Sequence, residues 1–165
     1  MAAPNLAIGT SVDVHRFKEG NSLMLGGVKL PFSKGLEAHS DGDVLMHAVL
    51  DAVLSAADLP DLGTLFPDTD EKNRGRSSVD MAKEVSRRLR VAGARILSVD
   101  SVIICENPKI APIRGQLRES VAASLDIEVR QVNVKGKTYE HMGPIGEGEC
   151  IECRAVALVE RAPSR

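Results

Sequence analysis

Residues 40–57 read SDGDVLMHAVLDAVLSAA. Val44, Leu45, Ala48, Leu50, Ala52, Val53 and Leu54 recur there at helical spacing, which predicts a helix over Asp43 to Ala57 with Ser40 and Asp41 as candidate N-caps. His47 falls in the second turn, four residues after Asp43 and four before Asp51. These three form one polar stripe on an otherwise apolar surface, and that stripe faces either water or a site.

Upstream, Leu6 to His15 alternates in part and is rich in small and β-branched residues, so it reads as a strand. Leu23 to Leu30 sets Gly26-Gly27 between two short apolar runs, the pattern of a hairpin. Downstream, Leu59 to Ser77 carries two prolines, two glycines and no periodicity, which describes a long surface loop of the lid or binding kind. A second helix is expected from about Ser78 to Ala92 with Gly93 as its C-cap. Then follow a strand over Ile96 to Cys105, a short helix over Pro112 to Leu125, and strands over Val129 to Lys135 and Cys150 to Glu160. Strands alternating with helices favour a layered α/β domain with helices packed on a sheet.

With 165 residues and 43% hydrophobic content the chain suits one domain over 1–165, its core running from about 6 to 160. A net charge of -2 and only 2% aromatic residues argue against nucleic acid as a partner, since neither a basic stripe nor stacking platforms are present in number. Met1 to Leu6 shows no secretory leader, and no apolar run reaches the ~20 residues of a membrane span. Cys105, Cys150 and Cys153 are too few for a disulfide framework, which fits a reducing compartment: the cytoplasm, or a plastid stroma after processing. Cys150 and Cys153 lie at i and i+3 of a strand and point to opposite faces, with no second pair, so they read as structural. The glycine-rich stretch from Gly143 to Gly148 precedes a strand and opens no helix, so it reads as a turn.

Chemistry concentrates around the histidines. Asp13 and His15, two apart on a strand, share a face, where one cation can take both. With His47 they supply three nitrogen and oxygen ligands, the pattern of a catalytic zinc with one open position; the alternative is an ordinary strand end and a solvated helix histidine. The loop from Ala38 to Asp43 offers either an anion site at the start of the helix, with His39 and Ser40 as donors, or a plain cap. From Lys135 to His141 two lysines, Thr138 and Glu140 form the mixture that binds polyphosphate with a hard divalent ion, or else a charged surface turn.

Read in order, Asp13-Val14-His15, Gly26-Gly27, Ala38-His39-Ser40-Asp41-Gly42-Asp43-Val44 through His47, Phe66-Pro67-Asp68-Thr69-Asp70 and Asn133-Val134-Lys135 closely resemble the 2-C-methyl-D-erythritol 2,4-cyclodiphosphate synthase family. The resemblance spans about Ile8 to Glu160. It implies a lyase of the non-mevalonate isoprenoid pathway, converting 4-diphosphocytidyl-2-C-methyl-D-erythritol 2-phosphate into the cyclodiphosphate with release of CMP. It further implies helices on one face of a mixed sheet and a homotrimer around a central channel, with active sites between subunits. Carried over, zinc or another divalent transition metal falls on Asp13, His15 and His47, and magnesium or manganese on Glu140. His39 and Thr138 match the transition-state stabilisers. Asp13, His15, Ser40, Asp61, Gly63, Phe66, Asp68 and Asp70 match substrate contacts; Cys105, Pro108, Lys109 and Ala111 match the cytosine pocket, and Lys137 a diphosphate contact. Departures gather after Glu140: His141 stands where Lys or Gly is common, and Glu147 and Arg154 read as a charge swap at an interface.

Overall fold

The computed structural model describes residues 5–20 and 22–163; Met1–Pro4, where the reading for a leader begins, lie outside the described residues with 21 and 164–165. The strands are β1 (Asn5–Glu19), β2 (Leu23–Leu25), β3 (Val28–Leu30), β4 (Lys34–Leu36), β5 (Arg95–Ile104), β6 (Val132–Lys137) and β7 (Cys150–Arg161). The helices are α1 (Val44–Ala56), the single turn α2 (Leu62–Leu65), α3 (Ser78–Ala92), α4 (Arg114–Leu125) and the single turn α5 (Gly143–Gly146). One mixed sheet runs β4-β1-β7-β5-β6; only the β5 and β6 pairing is parallel, and β2 with β3 makes a separate hairpin. The expected elements are present, with β1 longer than read, β4 unforeseen, and α2 and α5 as short helical turns inside the two segments read as loops.

The N-cap of α1 is Asp43 instead of Ser40 or Asp41. Its carboxylate accepts Met46 N–H at 2.9 Å, and also Gly26 N–H at 2.7 Å and Gly27 N–H at 2.5 Å from the β2–β3 turn. Asp41 is committed elsewhere, accepting Ser78 N–H at 2.7 Å at the start of α3. Asp43 is therefore the residue of the Ala38 to Asp43 loop that caps the helix. Burial pushes the Asp43 carboxyl up, against the three N–H donors that favour its ionised form.

Helix α1 lies across β1 and β7 with ten of its residues buried. It seats backbone to backbone at Gly9, where an added Cβ would stand 2.0 Å from the Ala52 carbonyl oxygen. Arg161 closes its far end, donating from Nε to the Ala56 carbonyl at 2.7 Å. Ser86 ties α3 to α4 by donating to the Leu125 carbonyl at 3.0 Å. Alternate residues of β1 and β7 point away from α1, and Ile8, Val12, Val14 and Val156 are exposed on that bare face of the sheet.

Replacing Asp43 with Ala removes a cap and leaves the Gly26 and Gly27 N–H groups without an acceptor. Denaturant unfolding is expected to show a loss of about 3–5 kcal/mol. Asn at this position, which keeps one acceptor oxygen, should lose clearly less; equal losses would contradict the assignment.

Candidate metal and substrate site

Alternation along β1 turns Asp13 and His15 toward the helical side, and the second turn of α1 brings His47 against them. Asp13 Oδ2 lies 3.1 Å from His15 Nε2 and 3.2 Å from His47 Nδ1. One donor atom from each of the three lies within 4.8 Å of the others, the only such group among the described residues.

The outer nitrogens decide what these atoms can do. His15 Nδ1 stands 3.1 Å from the Glu37 carbonyl, so it carries the proton and donates, leaving the lone pair on Nε2. That Nε2 is buried and has no hydrogen-bond partner: Asp13 is close to it but not in line. His47 Nε2 faces the hydroxyls of Ser40 and Ser78, each at 3.4 Å, and Asp41 Oδ1 at 3.8 Å, while its Nδ1 shares a hydrogen bond with Asp13 and offers a lone pair there once that proton is given up. Two imidazole lone pairs and a carboxylate thus converge, held from behind by the protein, and this set suits a transition-metal cation. The polar stripe on α1 faces a site: Asp43 caps the helix and Asp51 accepts Leu62 N–H at 2.7 Å, anchoring α2.

Burial pushes the Asp13 carboxyl up, but the close approach of the His15 and His47 imidazoles outweighs it and holds it well below the usual carboxylate range. Burial pushes His47 down, and the hydrogen bond and charge of Asp13, aided by the charges of Asp43 and Asp41, leave it above its ordinary value.

Two clefts open at this end of the sheet. The first is lined by His15, His39, Ser40, His47, Gly63, Phe66 and Asp68 of the expected residues, and also by Ala38, Leu62, Asn73 and Met81, which the sequence reading missed. Arg76 stacks over Phe66, 4.6 Å from the ring centroid. Asp61 and Asp70 stand outside this lining, as N-caps of the short turns on either side of Phe66. The second cleft is lined by Cys105, Pro108, Lys109, Ala111, Lys137 and Thr138 as expected, with Ile110 and Gly136 besides. Burial pushes the Cys105 thiol up to about 11, so it is a packing group there. Beyond it Thr138 donates to Glu140 Oε1 at 2.6 Å, and this bond together with the Lys137 charge holds the Glu140 carboxyl below its usual range.

The clefts do not merge within one chain. Register runs from His15 opposite Ile151 on β7, through Glu152 opposite Ile104 on β5, to Lys137 on β6. Three strand spacings separate the two walls, roughly 14 Å. A larger cavity of about 510 Å³ lies at the other end, beside Arg90, Arg95 and Asp126, but these charges are paired and no donor cluster is there. Within the chain Arg154 binds Glu152 at 2.5 Å and the Tyr139 hydroxyl at 3.1 Å.

A nitrogen and oxygen donor set opening on a cleft of an α/β domain is the arrangement of an enzyme site able to hold a metal. Comparison with known proteins narrows the class: the YgbB family model matches residues 6–160, and the chain belongs to that family. It is 48% identical over 158 residues to the 2-C-methyl-D-erythritol 2,4-cyclodiphosphate synthase of Rubrobacter xylanophilus, covering 94% of this chain and 95% of that one. It is 46% identical over 157 residues to the bifunctional enzyme IspD/IspF of Albidiferax ferrireducens, matching 95% of this chain and 38% of that longer protein. Among solved structures, the CDP complex of IspF from Plasmodium falciparum superposes with a TM-score of 0.84 at 35% identity, covering 97% of this chain and 99% of that one. No described helix is long and apolar enough to cross a membrane.

The raised His47 and lowered Asp13 values predict opposite pH responses with and without metal. In metal-stripped protein the raised His47 contributes stability below its ordinary value near 6.5, and this is lost as pH rises through the higher folded value. Thermal unfolding of stripped protein should therefore show a lower Tm at pH 8.5 than at pH 5.5. Zinc affinity, by competition with that proton, should fall about tenfold per pH unit below the folded His47 value. Calorimetric titration checks this, and a pH-independent affinity between 5 and 7 would remove His47 from the ligand set.

Proposed function

We propose that the chain carries out the reaction of its synthase relatives, an intramolecular phosphoryl transfer on 4-diphosphocytidyl-2-C-methyl-D-erythritol 2-phosphate. A 2-phosphate oxygen forms a bond to the β-phosphorus while the bond from that phosphorus to the α–β bridging oxygen breaks. CMP leaves with the electron pair, and the product is 2-C-methyl-D-erythritol 2,4-cyclodiphosphate. The observation supporting this most strongly is the convergence of Asp13, His15 and His47, with both imidazoles lining the first cleft. The substrate brings its own nucleophile, so the enzyme's task is positioning and neutralising charge.

Asp13, His15 and His47 would hold zinc or another divalent transition metal and Glu140 magnesium or manganese; bound there, such ions supply positive charge against phosphate oxygens. Glu140 offers one protein carboxylate, and a hard divalent ion held there would need further oxygens from outside the protein. His39 and Ser40, on the wall of the first cleft, donate to the phosphate that attacks. Phe66 and Gly63 cover the erythritol carbons and keep water off the phosphorus. The segment from Cys105 to Ala111 holds the cytosine, Lys137 neutralises diphosphate charge, and Thr138 would turn its hydroxyl from Glu140 to the same group.

The substrate would bridge the first cleft of one copy and the second cleft of its neighbour in a homotrimer. Supporting this are the roughly 14 Å between the two walls of one chain and the apolar residues left bare on the sheet.

Two measurements test these readings. Replacing Asp13 with Asn should lower CMP release at least about 100-fold while leaving the trimer folded. Linear hydrolysis products from the parent enzyme, in place of the cyclic diphosphate, would sink the synthase reading. Asp13→Asn and Glu140→Ala chains, each inactive alone, should recover about a quarter of parental activity when co-refolded in equal amounts, because some neighbouring pairs then carry two intact half-sites. No recovery in verified mixed trimers would place each whole site within one chain.

A further inference from the structure

Glu106 follows Cys105 in the segment that lines the second cleft, yet its own side chain turns inward and is only 7% exposed. A carboxylate taken out of water needs donors. Oε1 accepts the backbone N–H of Tyr139 at 3.2 Å and of His141 at 3.3 Å, and Oε2 lies 3.9 Å from His141 Nδ1. Both N–H groups belong to the turn that presents Thr138 and Glu140.

That turn holds an uncommon backbone. Glu140 and His141 are consecutive non-glycine residues with φ of 52° and 63°, a region that L side chains rarely adopt. It persists because its surroundings grip it. The Met142 N–H donates to the Tyr139 carbonyl at 3.0 Å. Gly146 lets α5 sit directly on the turn, since a Cβ there would lie 2.4 Å from the His141 carbonyl carbon. The Tyr139 phenol is held by Arg154, itself bound to Glu152. Glu106 ties the turn by hydrogen bonds to the cleft-lining segment that follows β5.

We propose that Glu106 is a positioning residue: its buried carboxylate holds the left-handed turn that aims the Thr138 hydroxyl and the Glu140 carboxylate, and so joins the second cleft to the groups that meet the diphosphate. This rests on the function proposed above. Glu106 touches no reacting atom, so what it changes is where Thr138 and Glu140 stand.

Three variants of the full-length holoenzyme test it. Glu106→Ala removes both acceptors, Glu106→Asp withdraws the carboxylate by one methylene while keeping its charge, and Glu106→Gln keeps an acceptor oxygen at the same reach. Amide hydrogen exchange of residues 138–142 should be slow in the parent and in Glu106→Gln, and faster by at least about tenfold in Glu106→Ala and Glu106→Asp. kcat for CMP release should fall about 10–100-fold in Ala and Asp with KM within about threefold, and Gln should recover most of it. Should Glu106→Ala not fold, Glu106→Asp carries the same comparison. Parental exchange and kcat in a folded Ala or Asp variant would overturn the proposal. So would a Gln variant as impaired as Asp, or exchange accelerated equally throughout the chain. A parent that releases no CMP would instead defeat the function it rests on, a separate outcome.

Discussion

The rest of the molecule is arranged around one buried carboxylate. Asp43 has no exposed surface, and taking such a group from water costs several kcal/mol unless its oxygens are answered. Three N–H groups answer them, one from the first turn of α1 and two from the Gly26-Gly27 turn. Each of those donors would otherwise be an orphan, so cost and remedy match on both sides. The same contact sets where α1 begins. His47 lies one turn further on, its N–H donating to the Asp43 carbonyl at 2.9 Å, and its ring emerges opposite Asp13. Starting the helix one residue later would rotate that ring by about 100° and leave Asp13 and His15 without their third partner.

The sheet sets the second constraint. With β7 between β1 and β5, the end of β1 that carries Asp13 and His15 and the lysine-bearing end of β6 share one edge of the domain while remaining three strands apart. Helices cover one face, and Gly9 lets α1 press close enough to seal it. The uncovered face carries Ile8, Val12, Val14 and Val156, a surface a solitary chain would expose at a cost. Two clefts held apart along one edge and an apolar face left uncovered are two aspects of one topology.

How much of this was legible in the sequence depended on the range of the interactions. Helix α1, the hairpin and the Gly93 cap were readable because apolar period and turn chemistry are local. The N-cap was misplaced because Ser40, Asp41 and Asp43 are all good caps, and what separates them is distant: Ser78, thirty-seven residues away, claims Asp41, and the Gly-Gly turn claims Asp43. Strand β4 is three residues long and has no readable period. Asp13 and His15 were legible from alternation, but whether the His47 stripe met water or a site turned on Asp51 reaching Leu62. The walls contributed by Asn73, Met81, Ile110 and Gly136 look like ordinary loop and core residues, and only tertiary structure shows them at a cleft.

The donor group is organised before any cation arrives. Glu37 fixes the His15 tautomer from behind, and Ser40, Ser78 and Asp41 do the same for His47, so neither ring must reorient to offer its lone pair. Asp13 is held as an anion by the two rings, and the raised His47 value means that a proton can occupy the place of positive charge. Filling the site is then an exchange of one positive species for another within a fixed frame, without the cost of assembling ligands. The frame is fixed by Asp43, which never touches the cleft. A side chain buried for folding thereby determines the geometry on which positioning and charge neutralisation depend.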